Sequence, residues 1–214
     1  MQIYKNEKDL TTALKFLAEE DEKLAAAFQK YGTPPLREAK HGFAGLARLL
    51  ISQQVSTKAA AAIQARFEAL LGEVDAVTLL AHSDDDLGQC GISRPKQRYL
   101  RGLAEAVADG TLDLAALDRA DNDTVYDTLI GLKGIGPWTA QCYLLFSLRR
   151  ADMFPAGDLA LQHGVRILYG LDDKPDTDAL ADFAMRWQPY RGAAARLLWS
   201  FYNGELDAAR RKDK

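Results

Sequence analysis

Along almost the whole chain, apolar residues recur three or four positions apart, and no stretch alternates apolar with polar residues as a half-buried strand would. That pattern leaves one fold class, all-α. Helices are expected to begin after Asn6, after Glu20, near Gly42, after Ser56, near Asp75, after Ser83, near Pro95, after Asn122, after Gly136, after Asp158, after Asp176 and near Tyr190. Several of these starts carry Ser, Asn or Asp, whose side-chain oxygens accept from the first-turn amides. In the helix after Ser56, Ala59, Ile63, Phe67 and Leu70 fall on one face, and the alanines 60–62 allow close approach of neighbours. The "SDDD" of Ser83 to Asp86 reads as an N-cap with acids favoured by the helix dipole, rather than as a metal site. Consecutive prolines break the helical pattern in "YGTPPL" (Tyr31 to Leu36), and "RRADMFPAGD" and "LDDKPDTD" are further connectors.

With 214 residues the chain is one large domain or two small lobes, long enough to bury roughly 70% of its unfolded surface. No apolar run reaches the roughly 18 residues of a membrane span, and the N-terminal MQIYKNEKDL lacks the apolar region of a signal peptide. The expected location is cytoplasmic and nucleoid-associated, or nuclear in a eukaryote. Two cysteines, Cys90 and Cys142, exclude a disulfide scaffold, a four-cysteine zinc site and a four-cysteine iron-sulfur cluster. His41, His82 and His163 form no i,i+4 pair for a metal. A net charge of −3 argues against a partner bound by bulk electrostatics. Arg94, Lys96, Arg98 and Arg101 form either a local patch for nucleic acid or an ordinary solvated helix face.

One stretch departs from simple helical patterning. In "LKGIGPWTAQCYLL" (Leu132 to Leu145), Gly134 and Gly136 separate two amphipathic segments, and glycine takes positive φ without steric cost. Such a turn is either a plain αα-hairpin or a main-chain anion site, with N–H groups and a helix N-terminus aimed at a phosphate.

The stretch Leu132, Gly134, Ile135, Gly136, Trp138, Thr139, Ala140 resembles the helix-hairpin-helix of the HhH-GPD superfamily of DNA glycosylases. "FPAGDLAL" (Phe154 to Leu161) resembles the segment that carries the superfamily's catalytic aspartate, here Asp158. "ISQQVSTKAA" from Ile51, "GISRPKQRYLRGLA" from Gly91 and "WQPYRGAAARLLW" from Trp187 are similar to the 3-methyladenine DNA glycosylase II (AlkA-like) branch. The resemblance runs from about Phe43 to the C-terminus. It implies one glycosylase unit over 1–214, built as a two-lobed helical bundle: a six-helix lobe over about 43–150 with the hairpin at 131–138, and a second lobe of about 1–42 plus 151–214. The hairpin and the aspartate would face each other across a DNA-binding cleft. Larger members carry an additional N-terminal α/β domain, and the resemblance implies a short form without it.

The implied activity is that of a monofunctional enzyme hydrolysing the N-glycosidic bond of alkylated purines, 3-methyladenine and 7-methylguanine among them, flipped out of duplex DNA. An abasic site is the product. Asp158 would stabilise the oxocarbenium-like sugar and orient water, and it would also cap the helix that follows; the two roles are compatible. Trp138 stands where strand-cutting members hold a Schiff-base lysine. Trp138 and Trp187 are candidate aromatic walls of the base pocket, or else core side chains. Cys142 and Leu159 occupy positions where some relatives place further aromatics. Gln54, with Gln53 beside it, would fill the gap left by the extruded base. Gly134, Gly136, Trp138, Thr139 and Lys133 would hold phosphate. No cofactor is required on this reading, although the carbonyls of Ile130, Leu132 and Ile135 would suit a non-catalytic Na+ or K+. The partner is double-stranded DNA with alkylated bases, there is no membrane partner, and a monomer is expected. Two alternatives stand beside this: a non-enzymatic helix-hairpin-helix protein that only grips DNA, and a bifunctional glycosylase/lyase.

Overall fold

The computed structural model describes residues 2–36 and 40–212. Its described residues are helical, with no named strand among them. The chain divides into two compact units, Met1–Glu38 with Arg149–Lys214, and Ala39–Leu148.

The first unit begins with α1 (Glu7–Glu20) and α2 (Glu22–Tyr31), which pack on each other and on the long C-terminal α13 (Arg191–Lys212). Asn6 caps α1 as the sequence suggests, its side chain accepting from the amides of Lys8 and Asp9. The chain resumes here with α11 (Leu159–Tyr169), packed along α13, and α12 (Thr177–Ala184). Small residues on α13, Ala193, Ala194 and Ala195, are fully buried beside Leu197 and Leu198, so α13 is a close-packed spine. The N-terminal segment is stitched to residues 149–151 by main-chain bonds: Tyr4 N–H to Arg149 O at 2.9 Å, and Ala151 N–H to Gln2 O at 3.0 Å.

In the second unit the apolar α3 (Gly42–Ser52) is central, burying Phe43, Leu46, Ala47, Leu50 and Ile51. Around it lie α4 (Thr57–Leu71), α7 (Arg94–Ala108), α8 (Leu114–Arg119) and α10 (Pro137–Cys142). The short α5 (Ala76–Ala81) and α6 (Asp84–Gln89) pack on α7, and α9 (Asn122–Ile130) leads into the glycine turn. Ser83 and Asp86 form a reciprocal capping box, which is the reading the "SDDD" run suggested.

Three details depart from the sequence pattern. The six-residue α8, capped by Asp113, is too short to show a period and was not foreseen. The buried face of α4 runs through Ala60, Phe67 and Leu71, rotated from the expected Ala59 and Leu70. Helix α10 widens into a π-helical turn at Tyr143–Ser147. There the buried Tyr143 hydroxyl donates to Asp118 (2.8 Å) and accepts from Gly42 N–H (3.0 Å).

Asp21 joins elements far apart in sequence within the first unit. One oxygen accepts from the amides of Lys23 and Leu24 at 3.0 and 3.1 Å, capping α2. The other accepts from the Tyr169 hydroxyl at 2.5 Å and the Trp187 indole N–H at 3.1 Å. Burial alone would raise this carboxyl, but the hydrogen bonds from Tyr169, Trp187 and the α2 amides outweigh it and hold it below its ordinary value of 3.8. A depressed folded value contributes stability above the unfolded value and loses it as pH falls through the folded one. Asp21→Ala should therefore cost about 2–4 kcal/mol at pH 7, from a lost cap and stranded buried donors. In urea denaturation at pH 7 and pH 3, the gap between variant and wild type should shrink at the lower pH.

Candidate active site and nucleic-acid interface

The glycine turn runs from Gly131, which ends α9, to Gly136, which precedes α10. Gly134 carries a φ of +90°, and a Cβ built on it would lie 2.3 Å from Cγ of Tyr99 on α7. The turn can close on α7 only because that position has no side chain. Gly136 is different from the sequence expectation: its φ is −100° and ψ 179°, extended backbone open to any residue. A Cβ there would meet nothing within 4 Å. Its lack of a side chain leaves the main chain uncovered, and no side chain caps α10, whose first residue is Pro137. Lys133 is exposed on the turn and Trp138 is half-buried just beyond it. Thr139 does not fit its expected role through its hydroxyl, because the residue is 2% exposed and that oxygen accepts from Gln53 Nε2 at 2.8 Å.

That bond fixes the second element. At the end of α3, Gln53 also donates to the Gly134 carbonyl at 3.0 Å, while Gln54 is exposed and left-handed with φ +54°. The two glutamines, paired in the sequence reading, are thus separated: Gln53 faces the hairpin and Gln54 faces solvent. The basic cluster also divides. Lys96 turns inward onto the carbonyls of Ile51 and Gln53, Arg101 pairs with Asp84, and Arg94 and Arg98 are exposed.

In the first unit, Asp158 caps α11. Its Oδ1 accepts from Ala160 N–H (2.9 Å), Leu161 N–H (3.1 Å) and the indole N–H of Trp199 on α13 (3.0 Å). The loop before it is held by Gln162, 3% exposed, whose amide donates to Ala156 O at 3.0 Å. Lys174 in turn donates to the Gln162 oxygen. Sequence reasoning missed Trp199, although the motif that carries it was in view, and missed Gln162, whose only signal is a polar residue on the apolar face of α11.

Trp187 is corrected by the structure. It is 1% exposed, its N–H is committed to Asp21, and its ring packs among Phe154, Tyr169 and Phe183 at centroid distances of 5.5, 6.3 and 5.5 Å. An indole so enclosed has no face to offer a base; it is a core residue. Cys142 is fully buried, whereas Leu159, beside Asp158, is 64% exposed. At the hairpin, the Leu132 carbonyl already accepts from Ile135 N–H at 3.1 Å, Ile130 is 40% exposed and Ile135 is buried. Among the described residues no group of three or more His, Cys, Asp or Glu is placed to hold a metal ion, and no helix is long and apolar enough to cross a membrane.

A family model described as HhH-GPD superfamily base excision DNA repair protein matches residues 47–189. The Bacillus subtilis protein YfjP is 31% identical over 184 residues, which cover 82% of this chain and 64% of that protein, so the chain spans just under two thirds of that relative. DNA-3-methyladenine glycosylase 1 of Schizosaccharomyces pombe is 34% identical over 166 residues, 76% of this chain and 73% of that one. Among solved structures, the S. pombe 3-methyladenine DNA glycosylase Mag1 in complex with abasic DNA superposes with a TM-score of 0.82. It is 30% identical, over 88% of this chain and 95% of that one.

The two glycines of the turn should respond differently to a methyl group. Gly134→Ala meets both a disfavoured φ and the Tyr99 ring, and should cost about 2–4 kcal/mol. Gly136→Ala should cost about 1 kcal/mol or less. Thermal melting of the two variants side by side measures the difference.

Proposed function

The chain belongs to the HhH-GPD superfamily of base excision DNA repair proteins, and from that premise we propose that it is a monofunctional DNA N-glycosylase of the 3-methyladenine glycosylase II type. Its substrates on this reading are alkylated purines flipped out of double-stranded DNA, its nucleophile is water, and its product is an abasic site. The observation that carries the reading is the fixed carboxylate of Asp158, with three N–H donors converging on Oδ1.

Breaking the C1′–N bond builds positive charge on the sugar. A negatively charged group that is already oriented stabilises that charge without reorganising, which is the largest lever available to such a site. The α11 amides and the Trp199 indole hold Asp158 in one rotamer, so the sugar meets a preset carboxylate. Water is oriented by the same group. Trp138 has no amine with which to attack C1′, which supports hydrolysis over the lyase alternative. As a wall of the base pocket, its ring attracts cationic 3-methyladenine or 7-methylguanine by about 0.5–2 kcal/mol through cation–π contact. These bases are good leaving groups, so no strong general acid is needed.

The extruded base leaves a gap, and unstacking costs a few kcal/mol. The exposed, left-handed Gln54 fills that gap. Phosphate is held by the main chain about Gly134, Gly136 and Trp138, with Lys133 adding charge. The carbonyls of Ile130, Leu132 and Ile135 are hard oxygen donors suited to a monovalent cation, which would offset phosphate charge and take no part in the chemistry.

Incubation of the protein with methylated duplex DNA, followed by chromatography, should yield free methylated purines. Asp158→Asn keeps an oxygen for the cap but removes the charge, and should slow release by about a hundredfold or more while DNA binding stays within a few fold. A wild-type protein that binds DNA and releases nothing would favour the grip-only alternative. Borohydride should trap no covalent adduct with lesion DNA; a trapped adduct would restore the lyase reading. Trp199→Phe, which removes the indole donor to Asp158 together with part of the ring, should slow release about tenfold at a modest cost in melting temperature.

A further inference from the structure

The turn at 53–55 borders an open pocket of about 190 Å³, lined also by Ile63, Gly91 and Ile92. On that side the turn faces open space rather than packed side chains. Gln54 moreover adopts the left-handed conformation, which is disfavoured for residues with a Cβ. Something must oppose both tendencies.

The opposing contacts are polar and come from two directions. A helix leaves its last carbonyls without partners inside the helix and gathers negative potential there. Helix α3 has no basic residue in its last turn. Lys96 supplies the cation from α7, its ammonium 2.8 Å from Ile51 O and 2.7 Å from Gln53 O. Two other carbonyls near this end are engaged as well: Leu50 O accepts from Gln53 N–H, and Arg48 O accepts from Ser52 Oγ. Burial lowers the pKa of Lys96, so the contact sits where a cation is costly unless it is well met. From the other side, the Gln53 amide reaches the Gly134 carbonyl and Thr139 Oγ1 at 3.0 and 2.8 Å. Inserting Gln53 into DNA would break both of these bonds and leave Gly134 O and Thr139 Oγ1 without this donor. Gln54 inserts without that cost.

We propose that Gln53 and Lys96 are positioning residues that brace the Gln54 turn against the glycine hairpin, so that gap-filling and phosphate grip are held in one register. This rests on the glycosylase reading above and assigns neither residue to the chemistry. Lys96 fixes where α3 ends; Gln53 fixes where that end lies relative to Gly134. A phosphate seated on the hairpin then sets the depth at which Gln54 enters the stack.

The test is a double-mutant cycle on a duplex with a single 7-methylguanine opposite cytosine, read by single-turnover base release and by a neighbouring 2-aminopurine whose fluorescence rises on unstacking. Lys96→Met and Gln53→Ala should each slow release and unstacking about tenfold or more when Gln54 is present. In the Gln54→Ala background each should add less than about twofold, because a brace acts only through what it holds. The same variants should lose less on 7-methylguanine opposite an abasic analogue, where extrusion is cheaper. Losses that multiply with Gln54→Ala, or no loss at all, would overturn the proposal. Should Lys96→Met fail to fold, Gln53→Ala, which removes no charge, completes the cycle. A wild type that unstacks the reporter but frees no base would sink the glycosylase reading and leave the brace to be judged by fluorescence.

Discussion

Each α-helix leaves first-turn amides and last-turn carbonyls without partners of its own, and in this chain the groups that meet those ends are also the groups with functional interest. Asp21, Ser83, Asp113 and Ser56 resolve the problem locally, each accepting from amides of the helix it precedes. Three further ends lie at the residues of the proposed site. The α11 N-terminus is met by Asp158, which Trp199 also contacts. The α3 C-terminus is met by Lys96. At α10 no side chain caps the helix, and the first position is a proline that has no N–H to lose.

On the proposed reading, capping and chemistry reinforce one another at Asp158. A cap requires an acceptor that stays put, and a carboxylate meant to stabilise a cationic sugar requires the same immobility. The donors to Oδ1 come from α11 itself and from α13, a helix distant in sequence but packed alongside it within one unit. The tight α11–α13 packing, with Val165, Leu161, Ala194 and Leu198 buried, therefore governs the aim of the aspartate. Gln162 adds a third hold through Ala156, two residues upstream of Asp158. Substitutions in this core would shift the carboxylate by tenths of an ångström before they unfold the protein, a displacement to which an electrostatic site is sensitive.

Much of this was legible in the sequence where the determinant is local. Asn6, Ser56, Asp75, Ser83, Asp158 and Asp176 each stand at a helix start because their short polar side chains favour that position, and the family motifs fell on the hairpin and on the α11 cap. What was not legible is set by tertiary direction. Trp187 and Trp199 lie in one motif, and spacing alone does not say which indole edge reaches Asp158. A short 3-10 turn at Met185–Trp187 buries the first, while the rotation of α13 presents the second. Gln53 and Gln54 are adjacent and identical in chemistry; a change of φ from −59° to +54° sends one to the hairpin and the other to solvent. Thr139 was read as a supplement to the main-chain phosphate grip of Gly134, Gly136 and Trp138, whereas the π-helical continuation of α10 belongs to a buried segment that takes Thr139 with it. Gly134 was read correctly for its φ, but its need to clear Tyr99 depends on a helix earlier in the chain and has no local signature.

The charge distribution follows from the same economy of helix ends. With a net charge of −3, long-range attraction to a polyanion is weak, and of the basic cluster on α7 only Arg94 and Arg98 face solvent. A grip built from main-chain amides acts at contact distance and depends little on how many lysines surround it. On the proposed reading, such a protein leaves undamaged duplex readily and discriminates at the extrusion step, where a weakened, cationic base costs less to unstack and gains more from an aromatic wall. Stronger non-specific binding would lengthen the search without improving that discrimination. An acidic protein with a rigid hairpin and a braced plug is therefore a coherent physical solution, and adding surface charge would act on a different step from altering Gln53, Lys96 or Trp199.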